Sequence, residues 1–312
     1  MRAELPLTIV IATWNRCDDL AMTLAGLETL EPVGEILVID NASTDGTTEM
    51  VRQLFPAVNI HRQEVNSGVP AFNIGVTRAR HELVLLLDDD AIPAPGCLTA
   101  AVTIMNAERQ IALLACHIVD DAGHAVTDNW PPNPLCFWGC GALVRRALAA
   151  TDAYFFDPRL RLHGTEMDLC IRLRARGCTV RYAPDCVVHH RVSLANRSKS
   201  DRIRALVPSA LWFPLKHLPT RFAVPATARH LVLLGWRSIR TGVPRAYIAG
   251  LEDAVRELPV VWKERRIVPA RVARAYYRGV WEYEPLVRRV LRSLFGWPVA
   301  RSVGPFDFGE SV

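Results

Sequence analysis

Along the first two hundred residues, short apolar runs alternate with amphipathic stretches, the pattern of βαβ units feeding a mostly parallel sheet. Leu7-Thr8-Ile9-Val10-Ile11-Ala12 predicts a buried strand. The polar loop Thr13-Trp14-Asn15-Arg16 follows, then a helix over 18–29 with Leu20, Leu24 and Leu27 on one face. A second strand is expected over 35–40, turn and N-cap residues over 41–47, a helix over 47–54 and a short strand over 58–61. Asn66-Ser67-Gly68-Val69-Pro70 reads as a loop before a helix at about 70–80. The most apolar run, Glu82 to Leu87, predicts a strand that ends in Asp88-Asp89-Asp90, and Pro93 and Pro95 predict a stop to regular structure.

From about 111 the pattern changes to strand-like runs at 111–116 and 139–144, separated by a polar, proline-rich segment, 120–134. A helix is expected to start at Thr165 as its cap, with Glu166 and Asp168 in the first turn. Residues 180–182 and 187–188 are further strand candidates, ending at His189-His190. Beyond 200 the strand signal stops. Residues 203–236 mix Trp212, Phe213, Phe222 and Trp236 with basic residues and four prolines, and 245–292 reads as arginine-rich helices. No run reaches the roughly 18 apolar residues of a spanning helix; apolar faces beside basic ones fit helices lying in a membrane interface.

Charge sharpens that expectation. Over the whole 312 residues the net charge is +5, but residues 1–200 carry −5 and 201–312 carry +10. The tail therefore suits an anionic partner, and its interleaved apolar residues favour a membrane surface over nucleic acid, which is disfavoured further by the lack of a recognisable nucleic-acid-binding module. Met1 to Pro6 holds one basic residue and no apolar export segment, so the expected location is cytoplasmic, peripheral on the inner face of the cell membrane. The eight scattered cysteines show neither disulfide-scaffold density nor paired CxxC spacing, and read as free thiols, mostly buried.

Ligands of open α/β sheets bind beyond the carboxyl ends of the strands, which would gather Thr13, Asn15, Asp40 and Asp88–Asp90 on one rim. Adjacent carboxylates repel unless solvent or a cation compensates them, so the triple aspartate is either a solvated turn or a site for Mg²⁺ or Mn²⁺. Asp40 and Asn41 suit a nucleoside or an ordinary turn. Glu166 and Asp168 suit a general base and its neighbour, or favourable electrostatics at a helix start. A histidine at 189–190 suits a metal ligand or a structural role.

Read in order, the segments 9–16, 36–47, 85–90 and 166–173 resemble the family 2 glycosyltransferases, and the rhamnosyltransferase-like branch in particular. The resemblance implies a GT-A fold: α/β, a Rossmann-like, mostly parallel central sheet flanked by helices, with a C-terminal helical extension. It implies a GT-A domain over 1–200, nucleotide-binding over about 1–110 and acceptor-binding over about 111–200, with a basic amphipathic extension over 201–312. On the family pattern Thr13, Asn15, Arg16, Asp40, Asn66 and Asp88 would bind the nucleotide. Asp88 and Asp90 would hold Mn²⁺ or Mg²⁺, with Asp89 a bystander. A histidine six residues after Pro184 selects His190 over His189 as third metal ligand. Glu166 stands where the family usually has an aspartate, so the base role falls to Glu166 or Asp168. Gly139, Gly141 and Trp138 would lie near the acceptor, where Trp130 and Phe137 either stack on a ligand or belong to the core. The implied reaction is inverting transfer from a UDP- or dTDP-linked sugar to a hydroxyl of a lipid-linked or polysaccharide acceptor. A nucleotidyltransferase would share the acidic site but want a Gly-rich, basic phosphate loop near the N-terminus, which is not found; a non-catalytic nucleotide-sugar-binding subunit would want the acids lost, and they are present.

Overall fold

Strand pairing follows the apolar runs. The computed structural model describes residues 4–128, 130–149, 154–193 and 198–282. Among them, β1 (Leu5–Thr13), β2 (Val33–Asp40), β3 (Asn59–Arg62), β4 (Leu83–Asp88), β5 (Ala91–Pro93), β6 (Ile111–Asp120), β7 (Ala142–Arg145) and β8 (Thr179–His190) form one sheet in the order β3-β2-β1-β4-β7-β6-β8-β5. The half β3-β2-β1-β4 is wholly parallel, whereas β7 and β5 run antiparallel to their neighbours.

Register decides where the polar ends fall. Thr13 pairs with Asp40 and Ala12 with Asp88, so the loops after β1, β2 and β4 open on one rim. Because β7 is antiparallel to β4, with Ala142 opposite Leu86, its leading loop 139–141 arrives at that same rim. β8 runs parallel to β6 and delivers His190 there too.

The continuous apolar runs are explained by burial on both faces. Along β4, Val84 and Leu86 enter one core and Leu83, Leu85 and Leu87 the other, the two-residue alternation of a strand. Helices α1 (Cys17–Glu28), α2 (Thr47–Leu54) and α4 (Cys97–Ala107) supply the second core, and α3 (Phe72–Arg78) and α6 (Thr165–Ala175) the first, near the short α5 (Arg146–Ala149).

Three elements differ from expectation. Regular structure resumes at once after Pro95: α4 begins beyond Gly96, whose left-handed φ of 83° makes the turn, and Leu98, Ala101, Val102 and Met105 form its buried face. β5 is a three-residue edge strand held by β8. The two strand candidates near 185 are one twelve-residue strand, with a register shift opposite Cys116 and His117 that absorbs Pro184, Asp185 and Cys186.

The tail is helical, as α7 (Lys199–His217), α8 (Thr220–Arg240), α9 (Pro244–Lys263) and α10 (Ala270–Glu282). The expected helical run to 292 lies beyond 282 outside the described residues. The tail has a small cluster of its own, Leu206, Val207, Ala210 and Leu234 between α7, α8 and α9, but Phe213, Leu218, Ala226, Val272 and Tyr276 join the cluster that holds Val10 and Val84. The buried Tyr276 hydroxyl donates to Leu135 O at 2.6 Å. Pro208 and Pro214 lie inside α7 without ending it, both buried, so tertiary packing outweighs the missing N–H groups. Among the described residues no helix is long and apolar enough to cross a membrane.

Candidate active site

The triple aspartate splits by side. Asp88 keeps a third of its side chain open, while Asp90 is wholly buried and points the same way, toward His190. Asp89 turns inward, where Oδ2 accepts from the Thr13 hydroxyl at 2.8 Å and Oδ1 from Arg16 at 2.9 Å. Arg16 also donates to Asp90 Oδ2 at 3.1 Å and to Ser193 O at 2.8 Å. Burial pushes the Asp89 carboxyl up to about 6, against the pull of Arg16. Burial likewise opposes ionisation of Asp90, but the charges of His190 and Arg16 hold it well below the usual carboxylate range.

His190 is buried and His189 exposed, so the alternation of β8 makes the choice between them. His190 Nε2 stands 3.0 Å from Asp90 Oδ1 and 3.9 Å from Asp88 Oδ2. Yet neither Nε2 nor Asp90 Oδ1 makes a properly directed hydrogen bond. The two atoms form a close buried ion pair, with Asp88 beside it, and the same three side chains are oxygen and nitrogen donors gathered at one point. Cys140 Sγ belongs to the same cluster: ligand atoms of Asp88, Cys140 and His190 all lie within 4.8 Å of one another. The residues therefore fit a divalent cation in both donor chemistry and spacing.

The side of the rim formed by the loops after β1, β2 and β3 is built by cross-links between them. Asn15 adopts a left-handed φ of 51°, its N–H donates to Ser43 Oγ and its Oδ1 accepts from Thr44 N at 2.7 Å. Asp40 is wholly buried; it accepts from Ser43 N at 2.8 Å and from the Thr48 hydroxyl, so it shapes the 41–48 turn from below rather than standing open on the rim. Asn41 ties in the next loop, accepting from Gln63 and Ser67 N and donating to Gly68 O. Asn66 Oδ1 accepts from Gly68 N at 2.8 Å, and its backbone carbonyl accepts from Arg161.

Across the rim, α6 starts after Gly164, φ 85°, and carries Glu166 half-buried in its first turn. Glu166 Oε2 accepts from the Thr165 hydroxyl at 2.8 Å, and Oε1 lies 3.2 Å from where a Cβ on Gly139 would stand. Burial pushes the Glu166 carboxyl up, and the nearby charge of Asp88 adds to it. Asp168 is in a different state. It is buried among Arg172 at 2.8 Å, His217 at 2.7 Å and Lys216 at 3.3 Å; burial opposes its ionisation, but Arg172, His217 and Lys216 hold it well below the usual range. Gly141 is packed so tightly that a Cβ would meet Ile118 at 2.9 Å. Trp130 and Phe137 are core residues; Trp138 is half-buried and packs against both cores.

Residues 8–150 match the family described as "Glycosyl transferase family 2". This stretch is a family 2 glycosyltransferase domain. The chain is 25% identical over 269 residues to the pre-mycofactocin glycosyltransferase of Mycobacterium tuberculosis (strain ATCC 25618 / H37Rv), covering 80% of this chain and 55% of that protein. It is 29% identical over 129 residues to chondroitin synthase of Escherichia coli, covering 39% of this chain and 19% of that one. The chain thus spans about half the length of the mycobacterial relative. Its fold is GT-A: a TM-score of 0.60, at 17% identity and 91% and 92% coverage, relates it to S. aureus TarS 1-349 in complex with UDP-GlcNAc. A score of 0.54, at 18% identity and 90% and 89% coverage, relates it to the mannosyltransferase PcManGT from Pyrobaculum calidifontis in complex with GDP-Man and Mn²⁺.

Three features of the site have no local signal in the sequence. Asp89 is the hub that joins Thr13 and Arg16 to the acid cluster, a role visible only when β1 and β4 pair. Cys140 was legible as the residue between two glycines, but not its direction. Lys216 and His217 lie 48 and 49 residues after Asp168, and no local pattern announces the contact.

Proposed function

We propose that the chain is an inverting, metal-dependent glycosyltransferase that moves a sugar from a nucleotide-sugar donor to a hydroxyl of a lipid-linked or polysaccharide acceptor. The observation that carries this reading is the convergence of Asp88, Asp90 and His190 at the rim, with Glu166 across from them over Gly139. The relatives support the donor class, since PcManGT is bound to GDP-Man and Mn²⁺ and TarS to UDP-GlcNAc.

Asp88, Asp90 and His190 would hold Mn²⁺ or Mg²⁺, whose charge would offset that of the donor diphosphate. The nucleoside lies over the loops at 13–16, 41–48 and 63–69. Asn15 and Asn66 stand at its edge, and Thr13, Arg16 and Asp40 act through the loops they fix. Glu166 takes the proton of the acceptor hydroxyl as its oxygen attacks the anomeric carbon. The bond from that carbon to the diphosphate oxygen breaks with its electron pair on the leaving group, and configuration inverts. Asp168, already paired to Arg172 and Lys216 and hydrogen-bonded by His217, anchors the helix instead. Gly139 and Gly141 let the acceptor-side backbone come close, and Trp138 borders it.

The tail supports a peripheral position at the cytoplasmic face of a membrane. Arg221, Val224, Ala228, Val232 and Ile239 are exposed along one face of α8, and Ile248, Val255, Val260 and Trp262 are exposed on α9 together with Arg245, Arg256 and Lys263. Apolar side chains interleaved with basic ones suit an anionic lipid surface.

The test is a panel of nucleotide sugars incubated with the protein and Mn²⁺, read by mass spectrometry. One donor should release its nucleoside diphosphate, faster with acceptor present; release of pyrophosphate, or no turnover of any donor, would contradict the reading. Sedimentation with anionic vesicles, lost with neutral ones, tests the membrane surface.

A further inference from the structure

We propose that Cys140 is a thiolate ligand of the cation held by Asp88, Asp90 and His190, and that it biases this site toward softer transition metals and away from Mg²⁺. The inference rests on the metal-dependent reading above and adds to it a ligand of a different chemical class.

Topology brings the sulfur there. Leu86 lies opposite Ala142 in the antiparallel β4–β7 pair, and continuing that register by two residues sets Cys140 opposite Asp88. The backbone around it has little freedom. Gly141 N–H donates to Trp138 O, Cys116 N–H donates to Gly141 O at 3.0 Å, and Gly141 is wedged against Ile118, Val188 and Cys116. The side chain of Cys140 is 1% exposed, so its sulfur is shielded from bulk solvent and faces Asp88 and His190.

Distances suit coordination. Metal bonds of about 2.0–2.3 Å to oxygen, nitrogen and sulfur allow ligand atoms on one ion to stand up to about 4.6 Å apart. The ligand atoms of Asp88, Cys140 and His190 all lie within 4.8 Å of one another, so only small adjustments close the shell. Besides the acids, the pointer is His190, a buried imidazole whose Nε2 stands 3.0 Å from Asp90 Oδ1 and within the same cluster of donor atoms as Asp88 and Cys140. On ligation the thiol proton passes to solvent and the sulfur donates as thiolate. Two carboxylates, one imidazole and one thiolate form a mixed set that Mg²⁺, a hard ion wanting oxygen, satisfies poorly.

Co²⁺ added to the metal-free full chain is the probe, because its visible bands report binding and a near-ultraviolet charge-transfer band reports a thiolate ligand. The wild-type protein should show both. Cys140→Ser should keep the visible bands and lose the charge-transfer band, and its preference for Co²⁺ over Mg²⁺ in competition should fall by about tenfold or more. Visible bands without a charge-transfer band in the wild type, or a charge-transfer band that survives Cys140→Ser, would overturn the assignment and leave the metal-dependent reading standing. Failure of the wild type to bind Co²⁺ at all would overturn both. Should Cys140→Ser not fold, X-ray absorption on wild-type protein loaded with one equivalent of Zn²⁺ decides: a sulfur neighbour at about 2.3 Å supports the assignment, and a shell of nitrogen and oxygen alone refutes it.

Discussion

His217 Nε2 donates to Asp168 Oδ1 at 2.7 Å, fastening the last turn of α7 to the helix that carries Glu166 two residues earlier. Lys216 strengthens the joint, donating to Asp157 at 2.7 Å and to the Tyr154 hydroxyl at 2.7 Å. Asp157 in turn pairs with Arg159, which reaches Glu264 at the end of α9. The tail is thus coupled to the candidate catalytic helix through a buried chain of charges.

Lys216→Met tests that coupling. Breaking a buried ion pair by removing one partner costs about 3–5 kcal/mol, because the remaining charges stay buried. Lys216 leaves two such charges, Asp157 and Asp168. The melting temperature should fall by about 5–8 °C, and transfer should slow even where the protein remains folded. An unchanged melting curve would show that the network carries no stability.

The same joint predicts a pH dependence. Burial pulls the His217 pKa below its usual value, outweighing the pull of Asp168 in the other direction. Below about pH 6.5 the unfolded chain takes up a proton there that the folded chain refuses. Stability from this group is therefore full above about pH 6.5 and is lost as pH falls from there toward the folded pKa. Melting temperatures from pH 7.5 to 5.5 should decline, and His217→Gln should flatten that part of the decline; an equal slope in the variant would contradict the assignment.

Glu166→Gln keeps the size of the side chain and removes the base. The expected loss in kcat is about 10²–10⁴-fold, with little change in donor KM. The rising limb of the wild-type pH profile should lie above the ordinary glutamate range, since burial raises this carboxyl. A variant that retains wild-type kcat would transfer the role elsewhere.

Gly68 combines φ 73° with ψ −147°, and a Cβ there would stand 2.0 Å from Arg161 O. Gly68→Ala should push the 66–69 loop away from residue 161 at a cost of about 1–3 kcal/mol, raising donor KM more than it lowers kcat. Steady-state kinetics on the variant check this.

Much of the fold was legible because a strand buried on both faces needs an unbroken apolar run, and β1, β2 and β4 supply three. The rim residues followed from the rule that such strands open at their carboxyl ends. Where reading failed, the deciding contact was distant or the local cue overrode a better one. Pro93 and Pro95 drew attention away from Leu98, Ala101, Val102 and Met105, a helical stripe in plain view. Asp40 looked like a ligand for a nucleoside, but a carboxylate beneath a turn is satisfied by that turn's own N–H and hydroxyl groups. Asp168, a candidate base alongside Glu166, is held by Lys216 and His217 of α7, contacts that no local pattern announces.

The claim at the centre is that the rim formed by Asp88, Asp90 and His190 binds a nucleotide sugar through a divalent cation. Thermal shift of the wild type and Asp90→Ala against a panel of nucleotide sugars, with and without Mn²⁺, tests it most directly. A donor at a hundred times its Kd stabilises the native state by about 2.7 kcal/mol, so at least one should raise the wild-type melting temperature with Mn²⁺, and that rise should disappear without Mn²⁺ and in Asp90→Ala. An equal rise in the absence of metal, or in Asp90→Ala with Mn²⁺ present, would contradict the account.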